Sequence, residues 1–145
     1  MPTDEKVLRE VLGGQYFAVL STVEQGLPYS SLVSFATADG LRALVFATGR
    51  STRKYRSMQE NPEVALLIDN RSNRPSDTEQ ATAVTAMGRA CEEGGNRDLF
   101  EAALLARHPQ LGHFVEQPDS AVIVVRVREY IIAGFERTRR VVMSG

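Results

Sequence analysis

Apolar and polar positions change period several times along this chain, and each change predicts an element. Val7, Leu8, Val11 and Leu12 recur at helical spacing behind a Thr3 or Asp4 cap, and Gly13-Gly14 closes the segment. Runs rich in β-forming residues then predict strands over 16–22, 28–37 and 41–48. The connections are Glu24-Gln25-Gly26, where Gly26 supplies a positive φ, and Ala38-Asp39-Gly40. Turns this short make the three strands an antiparallel meander. A polar turn from Thr48 leads into a short helix that Asn61-Pro62 stops, and Val64 to Asp69 returns as a strand.

The second half repeats the style. Asn70 to Asp77 is a polar loop, and Gln80 to Cys91 reads as a long strand in which Gly88 marks a bulge or a close approach. Asn96 can cap a helix over 97–107, with Phe100, Ala103 and Leu104 inward and Pro109 as its stop. Ser120 to Arg128 is a strand with Arg126 and Arg128 facing out, and Tyr130 to Phe135 is a last short one. Without a repeat, a low-complexity tract or a linker, residues 1–145 form one domain. Six or seven antiparallel strands with flanking helices predict a mainly β fold, a small barrel or sandwich and not a βαβ sheet.

Composition narrows the function classes. A formal net charge of −1 argues against a general nucleic-acid binder, and Arg137, Arg139 and Arg140 read as a solvated terminal face. No apolar run approaches the ~18 residues of a membrane span. The polar, acidic start, Met1 to Lys6, does not read as a signal peptide. Cys91 is the only cysteine, so no internal disulfide forms. Together these predict a cytoplasmic protein with neither nucleic acid nor membrane as partner.

Most conventional sites are missing from the sequence. Its two histidines, His108 and His113, have no cysteine pair or spaced carboxylates beside them, so they read as surface or structural and no metal is expected. There is no Gly-x-Ser-x-Gly elbow, Gly-x-Gly-x-x-Gly turn or P-loop, and Cys91 reads as a buried or inert thiol. What remains is the turn after Ala47. Thr48, Ser51 and Thr52 bring hydroxyls, Arg50, Arg53 and Lys54 bring cations, and a helix starts on the spot. Hydroxyls, cations and free helix N–H groups suit a phosphate. A well-capped helix whose cations face water fits the same residues.

The wider pattern favours the phosphate. Leu27-Pro28-Tyr29-Ser30-Ser31-Leu32-Val33-Ser34-Phe35 precedes a glycine turn; Phe46-Ala47-Thr48, Thr52-Arg53-Lys54 and Asn61-Pro62-x-Val64 follow in order. The set resembles the pyridoxamine 5′-phosphate oxidase-like family of FMN-binding split barrels, best over 17–67. That resemblance implies a six- to seven-stranded antiparallel split β-barrel. It implies that Ser31, Leu32, Val33 and Ser34 run along the flavin ring and that Thr48, Ser51, Thr52, Arg53 and Lys54 hold its phosphate. Thr82 and Thr85 are further candidates from the family's layout. It also implies a homodimer with FMN in the cleft between subunits, acting as a flavin-dependent oxidoreductase on a small-molecule substrate; no catalytic side chain is identified.

Two departures matter. Where the oxidase that names the family has basic residues, this chain has Ser31 and Ala36, and it lacks the C-terminal Arg-x-His element. Oxidation of pyridoxamine phosphate itself is therefore not expected. Leu105 to Pro109, Val124 to Val127 and Ala133-Gly134-Phe135 also resemble the split-barrel haem-utilisation proteins, whose C-terminal histidine tail is absent here. The alternatives are a non-catalytic flavin- or haem-binding module and a deazaflavin-dependent reductase.

Overall fold

A computed structural model of the chain describes residues 2–144. Its strands are β1 (Phe17–Glu24), β2 (Leu27–Ala38), β3 (Ala43–Gly49), β4 (Glu63–Asp69), β5 (Ala83–Glu92), β6 (Ser120–Ala133) and β7 (Thr138–Val142). The helices are α1 (Asp4–Gly14), α2 (Arg53–Glu60), α3 (Asp77–Gln80), α4 (Arg97–Arg107) and α5 (Gly112–Glu116), with a 3₁₀ turn over Pro109–Leu111. The sheet runs β3-β2-β1-β4-β5-β6-β7, and a β3–β6 pairing closes the first six strands into an antiparallel barrel with β7 attached outside the ring. The mainly β barrel with flanking helices is the fold the sequence pattern and the resemblance predicted.

Burial explains the strand composition. β1, β4 and β5 alternate inward and outward positions, so apolar residues recur at every second place. In β3 and the start of β6 the alternation disappears: Ala43 to Phe46 and Ala121 to Val125 are buried throughout. Leu44, Phe46, Ile123 and Val125 fill the barrel, while Ala43, Val45, Val122 and Val124 lie beneath Phe100 and Leu104 of α4. A strand covered on both faces reads as a continuous apolar run. Leu8, Val11 and Leu12 of α1 join the barrel core, as do Met58 and Tyr55 of α2.

The β1–β2 turn has positive φ at both Gln25 (52°) and Gly26 (77°), the handedness that a two-residue hairpin loop needs. At Gly88 the β5–β6 register shifts, and a Cβ there would sit inside the van der Waals distance of the Arg126 carbonyl. Both sequence readings of Gly88, bulge and close approach, therefore hold.

Four expectations are corrected. First, the strand from Ser120 does not end at Arg128; β6 continues to Ala133, pairing first with β3 and then with β7. Second, the last strand is not 130–135 but Thr138–Val142, which forms β7; Arg137 and Arg140 do lie on a solvated face, while Arg139 pairs with Asp4 at 2.7 Å and Arg140 with Glu129. Third, β5 begins at Ala83 instead of Gln80. The Asp77 carboxylate accepts the backbone N–H groups of Ser72, Asn73 and Arg74, folding the preceding segment into a loop and the short α3. Fourth, Cys91 is exposed: Val84, Ala86, Gly88 and Ala90 take the inward positions and leave Cys91 outward. Its thiol is still held protonated, chiefly by desolvation.

Candidate functional site

The site begins where two neighbouring strands part. β2 pairs with β1 over Leu27–Ser34 but with β3 only over Phe35–Ala38. Beyond Phe46, β3 continues along β6 to the Gly49–Ser120 pair. A gap therefore opens between residues 31–34 of β2 and residues 47–49 of β3. The N–H of Phe35 points toward β1, donating to Tyr16 O at 3.2 Å. By strand alternation, Leu32 and Ser34 turn their backbone groups the other way, into the gap.

α2 fills the mouth of this gap. Thr52 caps the helix: its Oγ1 accepts from Tyr55 N at 3.3 Å and donates to Gly49 O at 2.9 Å. Thr48, 2% exposed, lies 3.0 Å from it, hydroxyl to hydroxyl. Lys54 lines a groove of about 170 Å³ with Leu32, Val33, Ser34, Ala47, Leu111 and Phe114. Among the described residues Lys54 makes neither an ion pair nor a hydrogen bond.

Other cations of the turn are engaged. Arg53 stacks on Tyr29, 4.2 Å from the ring centre, and approaches Glu24 at 3.9 Å. The Ser57 hydroxyl, followed by Arg56 and Arg53, holds the Glu24 carboxyl below its usual range. Arg50 pairs with Glu92 and donates to Pro118 O at 2.8 Å. Ser51 donates to Asp119 at 3.2 Å.

Of the predicted residues the structure brings Leu32, Val33, Ser34 and Lys54 to one groove; Thr48 and Thr52 are bonded to each other at the helix start beside it, and Arg53 is held by Tyr29 and Glu24. Ser31 points to the barrel side, where its hydroxyl is buried without a partner. Ser51 faces the turn before β6. Thr85 lies on the outer sheet face in the row Leu32–Val19–Leu67–Thr85, three strand spacings or about 14 Å from Leu32. Thr82 is further along, its N–H bonded to Asn70 at 2.7 Å. Within one chain neither threonine joins the groove.

Sequence reasoning missed Leu111 and Phe114. They follow the Pro109 helix stop and had no periodic signal; only the return of the 3₁₀ turn and α5, packed on β6, places them at the groove beside Ala47. His108 is structural, as the sequence suggested: 1% exposed, its Nε2 lies 2.8 Å from Phe35 O. Among the described residues no group of three or more potential metal ligands occurs, and no helix is long and apolar enough to cross a membrane.

A closed six-stranded barrel, split beside a helix start that carries hydroxyls and a lysine, defines a split-barrel protein. A family model described as pyridoxamine 5′-phosphate oxidase matches residues 4–132, and the chain belongs to that family. No curated protein matches the sequence. Among solved structures, a heme binding protein from Mycobacterium smegmatis superposes with a TM-score of 0.87 at 21% identity. The match covers 98% of this chain but 59% of that one, so this chain spans less than two thirds of its length. A protein related to general stress protein 26 from Clostridium acetobutylicum gives 0.73 at 15% identity, covering 97% of each chain. A FAD-binding protein from Mesorhizobium loti gives 0.68 at 16% identity, covering 86% of this chain and 87% of that one. At these identities the likeness establishes the shared fold.

Proposed function

We propose that this chain binds FMN in the gap between β2 and β3 and works as a flavin-dependent oxidoreductase of the family. One observation carries the proposal: Lys54, without a side-chain partner among the described residues, stands beside a gap across which β2 and β3 are unpaired. A dianionic phosphate needs a cation and neutral donors: Lys54 and the backbone N–H groups opening α2 stand ready, and Arg53, Thr48 and Thr52 join in this proposal by exchanging the partners they hold here. A flat ring needs close backbone approach, which Leu32 and Ser34 allow, since β2 is unpaired there on the side facing β3. Bound FMN supplies the electron-transfer chemistry; the chain binds, orients and shields it.

The groove of about 170 Å³ is too small to enclose such a ligand, since enclosing pockets run to roughly 300–1,000 Å³. A second copy of the chain completes the site in this proposal. Its docking face is the outer sheet surface where Phe17 (55% exposed), Leu32 (66%) and Leu67 (37%) cluster. Across such an interface, Thr85 of one copy can reach the groove of the other.

The purified protein is expected to show a flavin spectrum, with FMN identified by mass after extraction. A haem-type Soret band or a deazaflavin mass would replace the proposal. Lys54→Ala should weaken FMN by about 1.5–3 kcal/mol, the worth of a hydrogen bond to a charged group, and leave riboflavin nearly unchanged. Equal losses for both ligands would remove Lys54 from the phosphate.

Pyridoxamine phosphate is not the expected substrate. It brings a second phosphate, and of the terminal arginines that could serve it Arg139 is engaged by Asp4 and Arg140 by Glu129, which leaves the exposed Arg137 alone. An oxidase assay on FMN-loaded protein checks this, and turnover near an ordinary ~10 per second would overturn it.

A further inference from the structure

Arg50 belongs by position to the cationic turn, yet its guanidinium is turned away from the groove and neutralised. Its partner is Glu92, the last residue of β5, with Arg50 Nε 3.4 Å from Glu92 Oε1 and a second, shorter contact from Nη2 to Oε2. The Tyr55 hydroxyl donates to the same Oε1 at 2.7 Å. One carboxylate therefore grips the chain on both sides of Thr52, Arg53 and Lys54. The turn is fastened on its other flank as well: Arg50 N donates to Asp119 O at 2.8 Å, and Ser51 to the Asp119 side chain at 3.2 Å. Arg50 holds the Glu92 carboxyl below its ordinary range, so the grip is charged at neutral pH. Tyr55 is correspondingly raised, chiefly by its bond to Glu92, and stays a donor.

We propose that Glu92 is a positioning residue for anion recognition: through Arg50 and Tyr55 it fixes the 49–55 segment so that Thr52, Arg53 and Lys54 converge on a phosphate ester. This rests on the phosphate-site reading above. On electrostatics alone a carboxylate beside an anion site is unfavourable, and removing it should strengthen phosphate binding, all the more if Arg50 were set free to join. Its retention in a doubly hydrogen-bonded position is explained by geometry: donors held in place lose less freedom when the ligand arrives. The two accounts predict opposite signs, which makes the proposal decidable.

The test titrates FMN and riboflavin against wild type, Lys54→Ala, Glu92→Gln, Glu92→Asp and Tyr55→Phe, with the ratio of the two Kd values as the readout. A general loss of stability lowers both affinities and leaves that ratio alone. For Glu92→Gln the FMN preference is expected to fall at least about tenfold. Tyr55→Phe, which keeps the ring packed, should lose part of the preference, and Glu92→Asp should recover part of it. Unchanged or increased preference in Glu92→Gln, with Lys54→Ala still losing it, would overturn the positioning role and leave the phosphate site standing. No preference in the wild type would overturn the phosphate site itself. Should Glu92→Gln fail to fold, Tyr55→Phe decides: an unaltered ratio there overturns the proposal.

Discussion

Gly88 sits where two strands come too close for any side chain. A Cβ at this position would collide with the backbone carbonyl of Arg126, and backbone cannot swing aside as a long side chain can. Gly88→Ala must therefore push β5 and β6 apart at the bulge, in the most heavily paired part of the barrel. Overpacking of this kind costs about 1–3 kcal/mol. Chemical denaturation should show a lower midpoint of that size with the slope retained; an unchanged midpoint would mean the bulge absorbs a methyl group. Residue-level logic also explains Cys91. Its outward position was legible in the alternation of Val84, Ala86 and Ala90, a stronger signal than the general tendency of free cysteines to be buried.

At the scale of elements, the joint between α2 and β5 carries a pH dependence of known sign. Glu92 and Glu24 both have carboxyls lowered by their partners, Arg50 first for Glu92 and Ser57 first for Glu24. A lowered carboxyl stabilises the fold above its unfolded value, near 4.5, and that contribution is lost as pH falls through the folded value. Acid should therefore weaken the docking of α2. The stability curve of Glu92→Gln should be flatter than that of wild type below about pH 5. Curves that stay parallel over that range would count against the pairing. Elements were also where the sequence spoke most clearly. The first helix, the meander and α2 were legible because period, caps and turn residues agree with one another; α4 was legible from its period and the Pro109 stop, though Asn96 makes no side-chain cap bond. The end of the chain was not, since the outer strand β7 carries Arg139 and Arg140, and charge on an edge strand masks its alternation. β6 looked broken at Glu129 because it changes partners there, from β3 to β7. The groove was half legible. Hydroxyls and cations could be listed from the sequence, but which of them are tied to Glu92, Glu24 and Asp119 depends on residues distant along the chain.

For the whole molecule, the outer sheet face sets the next expectation. The row Leu32, Val19, Leu67, Thr85, Ile131 crosses five strands, apolar except for Thr85, with two of its leucines exposed. Monomeric proteins rarely leave a broad apolar sheet uncovered. Light scattering after size exclusion is expected to give twice the 16.0 kDa chain mass. Leu67→Lys, in the middle of the row, should shift the protein toward monomer and weaken FMN together with it. A monomer that keeps FMN tightly would separate the site from the interface.

If the gap between β2 and β3 takes a ligand as proposed, their parting has a consequence for how that ligand gets in. Each lip of the opening is anchored from behind, β2 by β1 and β3 by β6, along its full length. The doorway is built in when the barrel folds, and no sheet hydrogen bond has to break for it to be used. Evolution can therefore change what passes through by altering residues on either jamb, while barrel closure, which depends on the far side of those strands, goes on unaffected.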